Sequence, residues 1–347
     1  MGPSAALWQK PGLQCAGVVL SGPGQRDWII SSQTTSPRRR QDVAAGLQEL
    51  ELWLHDLLRG GIAQVQHQPA EYWQGPAGRL VDAQAVSLAR QVRNLAQLPG
   101  RSADWPERLL LELSEIHLLI QAYKQFDQLE PGLQADIHWA IGWVPSDAAL
   151  RHQPQVAGRW LVLGSRESKE VGQHLRRSYL LEMATGRLAQ ITEQKQARTG
   201  YETDFPVGQV LPATLVYYPS NAPLRAAVMT AGEPEPAGTF NPAWSQPDLR
   251  AALAAFGAIL SQNPWQRQYP LILREVTPLQ RQNAWYVADQ RGEWLAIDPG
   301  CPEPWTLLAY SGGRPLTLAA EWNGELLWPL SACVDDRWVE LRPLKVR

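Results

Sequence analysis

Nucleophilic catalysis needs a serine or cysteine held on a sharp turn beside a base, and this sequence offers few residues in such a setting. Ser311-Gly312-Gly313 is the nearest approach to an exposed serine elbow, no GxSxG occurs, and the run reads as an ordinary glycine turn. Asp298-Pro299-Gly300-Cys301-Pro302 puts a thiol in a proline-rich turn with no histidine near it in sequence. Metal chemistry is as thinly provided for. Among the six histidines, His55, His67, His117, His138, His152 and His174, none is the i, i+4 partner of another, so they read as partly exposed helix residues rather than ligands. Cys15, Cys301 and Cys333 form no CxC or CxxC pair and are too few for a disulfide framework. No GxxxxGK[ST], no GxGxxG after a strand and no HExxH is present. The sequence therefore nominates no catalytic, cofactor-binding or metal-binding residue, and it points to no small-molecule substrate.

Charge is the remaining signal. Residues 151–200 carry nine basic side chains against four acidic ones, whereas residues 42–150 carry seven against fourteen. Arg159, Arg166, Lys169, Arg176, Arg177, Arg187, Lys195 and Arg198 alternate with Trp160 and Tyr179, the composition of a phosphate-contacting surface with stacking aromatics. Neighbouring residues of a strand point to opposite faces, so Arg176 and Arg177 do not share one patch. Arg166, Lys169, Arg176 and Arg187 are the candidate contacts to nucleic acid or to a protein partner. A solvated sheet face is the competing reading, and Arg38-Arg39-Arg40 reads as a solvated linker end. The 16 tryptophans, from Trp8 to Trp338, read as packing.

These residues need elements to hold them. Leu47, Leu50, Leu54, Leu57 and Leu58 recur at helical spacing up to Gly60-Gly61; Val81, Ala85, Leu88, Val92 and Leu95 form a second stripe up to Pro99. Asp104-Trp105-Pro106-Glu107 resembles a capping box opening a third helix through Leu110, Leu113, Ile116, Ile120 and Tyr123, and 133–143 is a fourth, closed by Pro145. Beyond about residue 155 the period falls to two. Strands are predicted over 159–163, in a hairpin of 175–183 with 188–191, and over 215–218 and 224–229. A short helix over 248–260, capped by Ser245 or Asp248, precedes strand candidates at 271–276, 285–287, 294–297, 306–309, 316–319 and 338–341. Trp322-Asn323-Gly324-Glu325 fits a two-residue hairpin turn. The fold class expected is α+β, an N-terminal helical bundle followed by a strand-rich C-terminal half. Its parts are a poorly defined 1–41, a helical 42–150, a strand-rich 151–231, a Pro/Gly-rich linker 232–247 and a mixed unit 248–347.

The chain's 347 residues are 44% hydrophobic and 19% charged with a net charge of −2, values outside the range of disordered chains. Its apolar runs are too short to span a bilayer and the N-terminus shows no signal-peptide pattern, so a cytoplasmic protein with no membrane partner is expected.

Several runs resemble the body of bacterial SWIM zinc finger proteins. They are residues 45–57 (AGLQELELWLHDL), 79–85 (RLVDAQA), 105–110 (WPERLL), 134–136 (QAD), 160–164 (WLVLG), 217–225 (YYPSNAPLR) and 321–324 (EWNG). They span 42–341. The resemblance implies a non-enzymatic protein whose zinc module mediates nucleic-acid or protein contacts; the alternative is a zinc-independent protein-interaction scaffold. In that family a CxC…CxH module lies upstream of the body. Residues 1–41 supply only Cys15 and no histidine, so no zinc ligand is carried over. A truncated start or a degenerate member is the expectation, with zinc expected only where the upstream module is restored.

Overall fold

The computed structural model describes residues 36–170, 173–196, 200–302 and 304–341. The Cys15 of the sequence reading lies outside them. Helices come first: α1 (Pro37–Gly60), α2 (Ala70–Asp82), α3 (Val86–Leu95), α4 (Trp105–Lys124), α5 (Pro131–Ile141) and the short α6 (Asp147–Arg151). Their apolar stripes meet in one core built from Leu47, Leu50 and Leu54 of α1, Leu88 and Val92 of α3, Leu113 and Ile116 of α4, and Ile137 of α5. Each such side chain removed from water contributes about 1.5–3 kcal/mol.

Two helix boundaries differ from the periodicity. The stripe from Val81 to Leu95 is broken, because Gln84 adopts φ 62° and divides α2 from α3. Helix α2 itself was not predicted; Pro76 lies inside it, a residue that normally argues against a helix interior, yet here it is buried against the bundle. On α4 it is Leu109, not Leu110, that faces the core. The expected capping box at Asp104 does not form; its carboxylate turns to Arg108 Nε at 2.8 Å. Helix α5 ends at Gly142 in the left-handed region, ahead of the expected stop at Pro145.

The remainder is two antiparallel sheets. The first comprises β1 (Gln155–Glu170), β2 (Gln173–Glu182), β3 (Leu188–Gln194), β4 (Gln209–Tyr217), β5 (Ala226–Ala231) and the two-residue β6 (Glu235–Pro236), in the order β3-β2-β1-β4-β5 with β6 on β4. After α7 (Leu249–Gln262) the second comprises β7 (Tyr269–Arg281), β8 (Ala284–Ala288), β9 (Trp294–Ala296), β10 (Leu316–Trp322), β11 (Leu327–Val334) and β12 (Arg337–Glu340), in the order β12-β11-β10-β7-β8-β9. Asp248 caps α7, accepting from Ala251 N at 2.7 Å. Residues expected as a strand at 306–309 instead belong to α8 (Pro304–Ser311). An apolar run this short fits either element, and the flanking Pro304 favours a helix start.

Asn323-Gly324 does not make a two-residue type I′ turn; the Asn323 side chain accepts from Glu325 N and Leu326 N in a longer loop. Paired positive φ angles occur instead at Gln282-Asn283 and Asp335-Asp336, joining β7 to β8 and β11 to β12 without a glycine.

The sheets share a core. Leu161, Leu163, Tyr179 and Leu181 of the first pack on Ile272, Ala319, Leu330 and Trp338 of the second. A bulge in β1 at Gly164, φ 142°, brings its backbone so near Leu330 that a Cβ there would lie 2.8 Å from the leucine's own Cβ. The stretch 232–247 read as a linker is built into this contact. Phe240 is buried between Trp244 and Trp338, and Gln246 exchanges main-chain bonds with Ile272 and Arg274. Its prolines prevent a long strand, but its two aromatic residues anchor it. No helix among the described residues is long and apolar enough to cross a membrane.

Candidate functional site

Where the bundle meets the sheets, α3 and α5, strands β2 and β3, the 217–225 loop and the 263–268 segment surround a cleft of about 430 Å³. Asp136 of α5 organises its floor. It is 3% exposed, on a helix whose neighbouring Ile137 is in the bundle core. One carboxylate oxygen accepts from Asn263 Nδ2 at 2.8 Å and the other from Asn221 N at 3.0 Å. Burial pushes its carboxyl up to about 6, against the opposing pull of Ser220, the Asn221 amide and the Arg225 charge. Gly132, one turn earlier, allows this junction: a Cβ there would lie 2.8 Å from Asn221 N.

Arg225 lies over the Trp139 ring at 4.5 Å, and burial lowers its guanidinium to about 10 while Asp136 opposes that fall. Arg267, in the segment ahead of β7, reaches the bundle, donating to Glu112 at 2.8 and 3.0 Å and to Glu115 at 2.5 Å. Among the described residues, two buried polar atoms on side chains of the lining have no hydrogen-bond partner: Gln190 Oε1, on a side chain 4% exposed, and Trp265 Nε1. One is an acceptor and the other a donor.

The four residues nominated from the basic band are not gathered here. Arg166 sits opposite Arg177 in the β1–β2 register, and both turn toward the second sheet. Glu321 of β10, fully buried, accepts from Arg166 Nη1 at 2.8 Å, Arg177 Nε at 3.0 Å and Tyr179 OH at 2.7 Å. Arg166 also donates to Asp298 at 3.1 Å and covers the Trp328 ring at 3.9 Å. Arg176 faces the other side, paired with Glu193 at 2.6 Å, donating to the Thr203 carbonyl, and lying over Tyr201. Lys169 is exposed on the Arg176 side of the sheet, by the alternation of β1 and β2. Arg187, just before β3, stacks on Tyr217 at 3.5 Å. Two of the four are thus held by carboxylates inside the fold, and Arg166 is on the opposite face from Lys169 and Arg176. Strand alternation shows the division of faces in advance; the carboxylate partners lie 17 to 155 residues away and have no local signature.

Other sequence candidates also find structural settings. Ser311 Oγ donates to the Arg314 carbonyl at 2.5 Å, and Cys301 is buried in its turn. His138 lies between Phe126 and Trp143, where burial together with the Arg40 and Arg39 charges pushes it down to about 4. His55 and His117 come together, with ring centroids 6.0 Å apart. The cleft residues themselves were not nominated. The available signal was Asp136, a carboxylate beside apolar Ile137 on an otherwise uncharged helix, and the Ser220-Asn221 pair ahead of Pro223.

Residues 38–141 match the family model described as the SWIM-associated four-helix bundle domain. The match covers α1 to α5, and both sheets lie beyond it. No curated protein and no solved structure matches the chain.

Proposed function

We propose that this chain is the non-enzymatic body of a SWIM-type protein and acts as a protein-interaction scaffold, holding a short polar segment of a protein partner in the cleft between bundle and sheets. The match of 38–141 supports the SWIM association. The observation that carries the scaffold reading is how the cations of the cleft are held: of its four arginines, Arg90, Arg177, Arg225 and Arg267, the last three stand against carboxylates. Arg267 is neutralised by Glu112 and Glu115, Arg177 by Glu321, and Arg225 stands beside Asp136. Phosphate chains gain most from uncompensated cations, whose counterions they release. A peptide instead offers one N–H and one C=O per residue, which would partner the buried Gln190 acceptor and Trp265 donor once those side chains turn toward it. Trp139 and Trp265 supply apolar walls. The polar part of the lining is made of arginines, carboxylates, amides and hydroxyls. Both oxygens of Asp136 are also taken up by amides.

A photo-crosslinking residue in place of Asn94, on the rim of the cleft, tests this in cells. Protein adducts that disappear on Arg225→Ala are expected, together with oligonucleotide binding that stays weak at low salt. Adducts to nucleic acid, with oligonucleotide affinity falling steeply as salt rises, would establish the nucleic-acid reading instead.

A further inference from the structure

Away from the cleft, α1 and α4 bring three metal-ligating side chains to one point. Glu51 and His55 are i, i+4 neighbours on α1, and His117 faces them from α4. One ligand atom from each, two imidazole nitrogens and a carboxylate oxygen, lie within 4.8 Å of one another. We propose that Glu51, His55 and His117 bind a divalent transition-metal ion of the zinc class, which clamps α1 to α4. The site is independent of the cleft and of its partner.

The donor set selects the ion. Two imidazoles and one carboxylate suit zinc and its neighbours, whereas calcium and magnesium prefer oxygen ligands throughout. Bonds of about 2.0–2.2 Å in a tetrahedral site place ligand atoms about 3.3–3.5 Å apart, so the three need to close by little more than an ångström. Rotamer adjustment supplies that, because His55 is exposed and neither imidazole makes a hydrogen bond within the described residues. Three protein ligands leave the fourth position to water.

Lys124 is the competitor. Its ammonium contacts both Glu51 oxygens, at 2.6 and 2.7 Å, and Gln121 Nε2 donates to the same carboxylate at 2.6 Å. The lysine side chain is 49% exposed and swings into solvent at little cost. Two imidazoles beside a carboxylate, rather than a second carboxylate or a buried arginine, mark the cluster as more than an ion pair.

The full chain, titrated with zinc chloride against a chromophoric chelator, is expected to bind one ion per molecule. His55→Ala and His117→Ala are each expected to weaken binding at least about 50-fold, Glu51→Gln about 10-fold, and His152→Ala not at all. Lys124→Ala, which removes the competitor, is expected to tighten binding several-fold. Cobalt is expected to show tetrahedral visible bands that His117→Ala abolishes. Zinc should raise the thermal midpoint of the wild type but not of the double variant His55→Ala/His117→Ala. Absence of stoichiometric binding in both the wild type and Lys124→Ala, or binding that survives in the double variant, would overturn the proposal.

Discussion

Glu321 is the residue on which the two sheets converge electrostatically. Burial pushes its carboxyl up, but the Arg177 guanidinium, the Tyr179 hydroxyl and the Arg166 charge outweigh that and hold it below the usual carboxylate range. Removing one member of a buried pair leaves the others desolvated without compensation, which typically costs about 3–5 kcal/mol. Glu321→Ala is therefore expected to lose about 3–5 kcal/mol in urea denaturation. Arg166→Ala should lose clearly less, because Arg177 and Tyr179 still satisfy the carboxylate and Asp298 is partly exposed. Equal losses for the two variants would show that the carboxylate is not the hub. A folded-state value below the ordinary one gives a stability contribution present above about pH 4.5 and lost as pH falls through the lowered value.

On helix α5, the buried Asp136 and the half-buried His138, two residues apart, titrate in opposite senses. Asp136 is raised to about 6, so its contribution to stability is present below its ordinary 3.8 and lost as pH rises through 6. His138 is lowered to about 4, so its contribution is present above its ordinary 6.5 and lost as pH falls toward 4. Between pH 4 and 6 the two slopes oppose one another, and the wild type should change little there on their account. Asp136→Asn is expected to uncover the histidine, with the thermal midpoint falling as pH drops from 6.5 to 4. His138→Phe should uncover the aspartate and reverse that slope. Each effect amounts to about 3 kcal/mol in full, at about 1.4 kcal/mol per pH unit. Parallel profiles for both variants would refute the assignment. Elements of this kind were legible in the sequence where their pattern was self-contained: the leucine stripe of α1, the β2–β3 hairpin around Thr185-Gly186, and the cap at Asp248. They were illegible where tertiary packing overrode local preference, as with Pro76 inside α2, the helical 304–311, and the glycine-free turns at Gln282-Asn283 and Asp335-Asp336. The cleft was illegible because its residues become neighbours only through the packing of three separate parts of the fold.

In the whole molecule, the bundle and the sheets are joined by polar ties more than by a shared apolar core. Arg267 bridges to Glu112 and Glu115, and Asp136 to Asn221 and Asn263, with Trp265 packed against the bundle. Arg267→Ala leaves two facing carboxylates, of which Glu115 is already raised chiefly by burial. A loss of about 1–3 kcal/mol is expected, with the far-UV signal of the bundle and the tryptophan fluorescence no longer melting together. Coincident transitions in the variant would mean that the joint does not depend on this bridge. These ties connect residues 85, 127 and 155 positions apart, so they form only after residues 221, 263 and 267 have been added to the chain. The leucine-lined bundle can form as soon as its helices leave the ribosome, whereas the cleft comes into existence only when residues 263–268 have been delivered. On the proposed reading, docking would have to wait for that segment: a chain interrupted at the first sheet would hold the bundle residues but lack one wall of the cleft.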